Sequence, residues 1–273
     1  MPPTALMQPL VPDWPAPTGI SALMSTRQSG SSKPPFDSLN LRPPALGDDP
    51  AGAADAPAAV LANQQRFAAA LGAAPVWLHQ VHGAQVLRLL PGHLWPGAAL
   101  PEADASISTT PGLACTVLVA DCLPVLFCTQ DGLAVGAAHA GWRGLAAGVL
   151  DNTVAALCQA AGCTPDQLLA WLGPCIGPQV FEVGADVLQA FGADPLVDEP
   201  NRADPLFCPS PRADGSARWR ADLAGLARRR LVALGVGQIS GGGWCTVADP
   251  SRFFSFRRDG RTGRMAAAIA IRA

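Results

Sequence analysis

Residues 120–144 read Ala120-Asp121-Cys122-Leu123-Pro124-Val125-Leu126-Phe127-Cys128-Thr129-Gln130-Asp131-Gly132-Leu133-Ala134-Val135-Gly136-Ala137-Ala138-His139-Ala140-Gly141-Trp142-Arg143-Gly144. With residues 113–120 just upstream, this stretch holds three apolar, β-branched runs, 113–120, 125–129 and 133–138. Gln130-Asp131-Gly132 is a hairpin turn between the last two, and residues 143–161 carry helical spacing at Leu145, Val149, Val154 and Leu157. A carboxylate, a thiol, an imidazole and a guanidinium stand among these runs. Polar groups with apolar flanks are costly unless they have partners, so something binds there. His139 falls at a strand-to-helix junction, a place where scaffolds often hold functional groups.

Upstream, residues 1–17 are Pro-rich and irregular, a strand follows at 20–26, and 29–50 is a long loop punctuated by Lys33-Pro34-Pro35 and Gly47-Asp48-Asp49-Pro50. Residues 51–71 have a helical period stopped by Gly72. Strands at 76–81 and 85–90 meet at His82-Gly83, residues 91–101 form a loop, and the polar alternation of 103–109 predicts an edge strand. Downstream, Thr164-Pro165-Asp166-Gln167 is a capping box, followed by a strand at 168–172 and a short helix at 185–191. A loop at 192–216 leads to an amphipathic helix at 220–234. Gly241-Gly242-Gly243 is a turn, and strands at 253–258 and 265–271 form a closing hairpin. Strands interleaved with helices, several of them adjacent, predict a mixed-sheet α/β fold in which residues 1–273 make one unit.

Half the residues are apolar, 49%, and the net charge is −2, the balance of an ordinary globular protein. No basic footprint for nucleic acid exists, since Arg228-Arg229-Arg230 reads as a solvated helix face. The sole lysine, Lys33, lies in the Ser/Pro-rich loop, so no buried Schiff-base lysine is available. The apolar stretch 113–128 is interrupted by Asp121 and Pro124 and is too short to span a membrane. The eight cysteines lack C-x-x-C pairs and a secretory leader, which predicts reduced, mostly buried thiols in a cytoplasmic protein. Dinucleotide, P-loop and serine-hydrolase fingerprints are missing.

His82, Cys122 and His139 each close a predicted strand, where side chains distant in sequence converge. Two imidazoles and a thiolate make a zinc set with an open fourth position, the pattern of catalytic sites. The same residues also suit a metal-free hydrolase pair, with Cys122 as nucleophile and His139 as base.

In these blocks the chain resembles the YfiH-like laccase-domain, or polyphenol oxidase-like, family, now often described as purine nucleoside phosphorylases. The matching segments are Phe36-Asp37-Ser38-Leu39-Asn40-Leu41, Gln80-Val81-His82-Gly83, Ala103-Asp104-Ala105, Ala120-Asp121-Cys122-Leu123-Pro124-Val125, His139-Ala140-Gly141-Trp142-Arg143-Gly144, Leu172-Gly173-Pro174 with Ile176-Gly177-Pro178, Phe181-Glu182-Val183-Gly184, Cys245-Thr246, and Phe254-Ser255-Phe256-Arg257-Arg258-Asp259 with Thr262-Gly263-Arg264-Met265. The resemblance implies a layered α/β fold like that of cytotoxic necrotizing factors, with zinc, or copper in the older description, held by His82, Cys122 and His139. Implied activities are phosphorolysis of adenosine, inosine, guanosine and methylthioadenosine, and adenosine deamination, with purine nucleosides and phosphate as partners. The older label is copper-dependent phenol oxidation, and bacterial members are also linked to editing of a muramyl precursor of peptidoglycan. On this expectation Cys122, His139 and Asp121 are catalytic, Asp121 orienting a ligand or shuttling a proton, while Asn40, Arg143 and Arg258 bind substrate, the two arginines through phosphate or a ribose oxygen. The chain departs from the family pattern at His79, before Gln80-Val81-His82-Gly83, and at Asn63-Gln64, where the family usually reads Asn-Arg.

Overall fold

The computed structural model describes residues 7–47, 54–94, 99–195 and 204–273. Parts of five expected segments, residues 1–6, 48–50, 51–53, 95–98 and 196–203, lie outside them. Strands run in the order β1 Ile20–Met24, β2 Ala74–Val76, β3 Val86–Arg88, β4 Ala105–Ser108, β5 Leu113–Val119, β6 Leu123–Thr129, β7 Val135–Ala140, β8 Leu168–Leu172, β9 Glu182–Val183, β10 Phe207–Pro209, β11 Trp219–Ala221, β12 Gln238–Gly241 and β13 Met265–Ile271. The helices are α1 Pro57–Leu71, α2 Trp142–Ala146, α3 Val149–Ala161, α4 Ala185–Ala190, α5 Leu223–Ala233 and α6 Phe256–Asp259.

Two sheets stack face to face. One has the order β1-β13-β5-β2 and the other β12-β8-β6-β7-β4-β3, with parallel and antiparallel pairs in both; a small sheet β10-β11-β9 stands beside them. The alternation of β13 shows why the layers form. Met265, Ala267 and Ile269 face Trp171, Leu126 and Cys128 of the larger sheet, while Ala266, Ala268 and Ala270 face Phe67 and Leu71 of α1. Alanine on that second face lets the helix lie close. The outer face of the larger sheet is covered by α3, α4 and α5 through Val154, Leu157, Val187, Leu226 and Leu231. The result is a helix–sheet–sheet–helix stack, the expected layered mixed-sheet α/β architecture. Among the described residues no helix is long and apolar enough to cross a membrane.

Several elements differ from the sequence expectation. Residues 77–81 are not a strand: β2 ends at Val76, and only His79 pairs with Glu102 in a single bridge. β4 is not an edge but lies between β7 and β3, with all four residues buried. The helix expected over 143–161 is two, broken at Gly148, whose φ of 91° no regular helix accepts. The helix expected from Arg220 begins at Leu223, capped by Asp222, because 219–221 pairs as β11. Part of the 192–216 loop is strand β10. Residues 253–258 do not form a hairpin strand; Ser255 caps the single-turn helix α6 by accepting the Arg258 N–H. All eight cysteines are free, yet only Cys115, Cys128 and Cys175 are buried, fewer than expected.

Candidate metal centre

The decisive local feature is a change of sheet. β5 belongs to the smaller main sheet and β6 to the larger, so residues 120–122 carry the chain from one layer to the other. Asp121 makes that step with φ 93°, a left-handed conformation uncommon outside glycine. Its carboxylate holds the turn: one oxygen accepts from Thr246 Oγ1 at 2.5 Å, the other from Ser255 Oγ at 3.0 Å and the Arg257 N–H at 2.6 Å. Cys122 therefore stands at the mouth of the gap between layers. His139, next to last in β7, faces it from the larger sheet, in register with Pro124.

His82 comes from the loop after β2 rather than from a strand end, and it too is left-handed, with φ 61°. The ligand atoms of His82, Cys122 and His139 lie within 4.8 Å of one another. Cys122 Sγ is 3.7 Å from His82 Nε2, a separation that two ligands bound about 2.0–2.3 Å from one ion can adopt. The imidazoles meet edge to face with centroids 4.8 Å apart. Backbone at Gly141 must pass close by: a Cβ there would lie 2.9 Å from Cys122 Sγ and 3.0 Å from His82 Cδ2.

Electrostatics make the three groups interdependent. Burial pushes the Cys122 thiol up, but the charge and hydrogen bonds of His139 and His82 outweigh it and bring the thiol from 9.0 down to about 6. Burial disfavours the His139 imidazolium in turn, and the Cys122 thiolate with the Asp104 carboxylate hold it up at about 9. Cys115 and Cys128, in apolar surroundings, are pushed up to about 12 and are inert by comparison. A reactive thiolate with two imidazoles is the nitrogen and sulfur donor set that zinc or copper takes, so the residues fit a metal ion.

The cluster forms part of the wall of a cavity of about 470 Å³, within the range of small-molecule sites. Its other walls include His79, Gln80, Phe256 and the arginines Arg42 and Arg264. Of the residues expected at the site, His82, Cys122 and His139 come together at the cavity. Asn40 is buried beneath it, its Oδ1 accepting the backbone N–H groups of Arg42 and Arg264 at 3.2 and 2.9 Å. Asp121 is turned from the cavity into its hydroxyl and amide partners. Arg143 is exposed, its guanidinium 4.4 Å over the Trp142 ring, and it is not part of the cavity wall. Arg258 donates to the carbonyls of Thr246 and Phe253 and pairs with Asp259 at 2.7 Å. Gln64 donates to the Leu41 carbonyl.

Four residues beyond the expected set matter here: Arg42, Arg264, Phe256 and Asp104. The last is fully buried and accepts from the N–H groups of Val81, His82 and Gly83 and from His139 Nδ1 at 2.8 Å. Its signal in the sequence is an acid inside the apolar run Ala103-Asp104-Ala105, the same cost that marks Asp121.

Comparison with known proteins agrees with this architecture. Residues 21–272 match the family described as multi-copper polyphenol oxidoreductase laccase. The chain is 48% identical over 262 residues to the Escherichia coli protein named purine nucleoside phosphorylase YfiH, covering 95% of this chain and 97% of that one. It is 47% identical over 260 residues to purine nucleoside phosphorylase PA4543 of Pseudomonas aeruginosa, with the same coverage of each chain. Among solved structures, Neisseria meningitidis NMB0706 superposes with a TM-score of 0.81 at 42% identity, covering 97% of this chain and 99% of that one. YlmD of Geobacillus stearothermophilus gives 0.80 at 30% identity, covering 98% and 99%. Matched over nearly its whole length in sequence and in fold, the chain belongs to the YfiH-like laccase-domain family.

Proposed function

We propose that this protein is a zinc-dependent purine nucleoside enzyme that phosphorolyses adenosine, inosine, guanosine and methylthioadenosine and deaminates adenosine. The observation that carries the reading is the convergence of His82, Cys122 and His139 on a cavity that also presents two guanidiniums and an aromatic ring. The names of the Escherichia coli and Pseudomonas relatives support the substrate class. In phosphorolysis a phosphate oxygen attacks the ribose C1′ while the C1′–N9 bond breaks and the purine leaves. Arg42 and Arg264 line the cavity, held there by bonds to the carbonyls of Leu46 and of Thr262 and Gly263, and bring positive charge that suits phosphate, and Asn40 braces both through their backbone N–H groups. Phe256 offers a ring against which a purine can stack, and Asp121, bonded to the Arg257 N–H, ties that ring's segment to the Cys122 turn. His82, Cys122 and His139 would hold the zinc, which when bound supplies a Lewis-acid centre with an open position.

The test is metal analysis of the purified protein with a nucleoside panel in the presence and absence of phosphate. One equivalent of zinc and phosphate-dependent release of hypoxanthine from inosine are expected, with both lost in Cys122→Ala. Unaltered turnover in that variant overturns the mechanism.

A second reading, copper-dependent phenol oxidation, is favoured by the description of the matching family. Zinc is preferred because a multicopper cluster needs more imidazoles than the four histidines of this chain. Oxygen uptake with a phenol substrate in metal-defined protein decides between them.

A further inference from the structure

We propose that Asp104 is the positioning residue for both imidazoles of the centre, through a hydrogen-bond pattern that a carboxylate satisfies and an amide does not. The inference rests on the zinc reading above and extends it to a residue that does not itself touch the ion. Asp104 is 0% exposed. Its Oδ1 accepts from the His82 N–H at 2.9 Å and from His139 Nδ1 at 2.8 Å; its Oδ2 accepts from the Val81 N–H at 3.1 Å and the Gly83 N–H at 2.7 Å. Both oxygens are thus filled by donors, and an ionised carboxylate brings no donor of its own.

Two consequences follow. His139 must carry a proton on Nδ1, which leaves Nε2 as the ligand atom toward Cys122 and His82. Three successive N–H groups drawn onto one carboxylate also hold residues 81–83 in the turn that gives His82 its φ of 61°. One side chain thereby fixes the tautomer of one imidazole and the backbone beneath the other.

An asparagine has one accepting oxygen and one donating NH2, so in either orientation two donors meet a donor. With the NH2 in place of Oδ2, the amides of Val81 and Gly83 lose their acceptor and the His82 turn loosens. With the NH2 in place of Oδ1, His139 must accept at Nδ1 and protonate Nε2, which removes it as a ligand.

The experiment has two arms on zinc-loaded protein. In the first, histidine-labelled wild type is examined by nitrogen NMR; His139 is expected to show a hydrogen-bonded Nδ1–H, and a proton on Nε2 overturns the proposal. In the second, zinc affinity of Asp104→Asn is measured by competition with a chromophoric chelator, with circular dichroism as the check on folding. A loss of about 10–100-fold is expected, and an affinity within about twofold of wild type overturns the proposal. Should the variant not fold, the wild-type spectrum still overturns the proposal if Nε2 carries the proton or if Nδ1–H is not hydrogen-bonded. Wild type that binds zinc with this tautomer yet releases no base from nucleosides overturns the function proposed above and leaves the role of Asp104 standing.

Discussion

Without metal, Cys122 and His139 face each other as thiolate and imidazolium, and their opposite shifts set a pH window. The thiol is lowered from 9.0 to about 6, so its contribution to stability is present above the unfolded value and lost as pH falls through about 6. The imidazole is raised from 6.5 to about 9, so its contribution is present below the unfolded value and lost as pH rises through about 9. The ion pair therefore persists between about pH 6 and about 9. Ultraviolet thiolate absorbance of chelator-treated wild type, minus that of Cys122→Ala, should titrate with a midpoint near 6; a midpoint near 9 contradicts the pairing. Asp121 gives a second prediction at this scale. Two of its three hydrogen bonds are buried and the third half-buried, and hydrogen bonds to charged groups contribute about 1.5–3 kcal/mol each, not additively. Asp121→Ala should lower the free energy of urea unfolding by about 3 kcal/mol, whereas Asp121→Asn, which keeps an acceptor and tolerates a left-handed backbone, should lose less. Equal losses in the two variants would show that the hydrogen bonds are not what stabilises the turn.

Among the elements, what was legible in the sequence is what local pattern decides. β5, β8 and β13 lie within a residue of their apolar runs, because both faces of each are buried, whereas β6 begins two residues before its run, through Pro124, and β7 is displaced two residues toward His139. What was not legible depends on neighbours. The polar serines of β4 suggest an edge, but Ser106 and Ser108 are buried between β7 and β3. The aromatic-rich 253–258 segment suggests a strand, but Ser255 and Asp121 cap its N–H groups into a helical turn, a long-range contact no local pattern contains. The three residues were brought together in the reading by expected strand ends; His139 lies in β7 and Cys122 just before β6, whereas His82 reaches the cluster from a loop. Arg264 and Asp104 stood in matching segments without a role and Arg42 in none, because their partners are set by residues distant in sequence. Gly141, between β7 and α2, tests how tightly these elements approach. Gly141→Ala puts a methyl 2.9 Å from Cys122 Sγ, whereas Gly243→Ala meets nothing within 4 Å. Zinc affinity by chelator competition should fall at least about tenfold in the first variant and stay unchanged in the second; equal affinities would mean that the β7–α2 turn is free to move away.

For the molecule as a whole, the centre joins layers that already hold together. The interior between the sheets is built from Trp171, Met265, Val117, Leu126 and Ile269, all buried, with Cys122 the one ligand residue packed at its margin, and α1, α3 and α5 seal the outer faces. This distinguishes the protein from small metal-dependent domains, whose fold is lost with the ion. The ligands nonetheless come from the larger sheet, from the turn that joins the two sheets and from the loop after β2, so an ion bound to them ties that turn to both neighbours and stabilises the native state by mass action. Free metal at about a thousand times the dissociation constant contributes roughly 4 kcal/mol, which for a chain of this size corresponds to a thermal midpoint shift on the order of 10 °C. Chelation should therefore lower the midpoint by about that amount in a calorimetric scan while the far-ultraviolet circular dichroism at room temperature stays unchanged. The same scan on Cys122→Ala should show no response to chelator. Collapse of the dichroism on metal removal would place the ion inside the folding core, and an unshifted midpoint would mean that the three ligands hold no metal in the native protein.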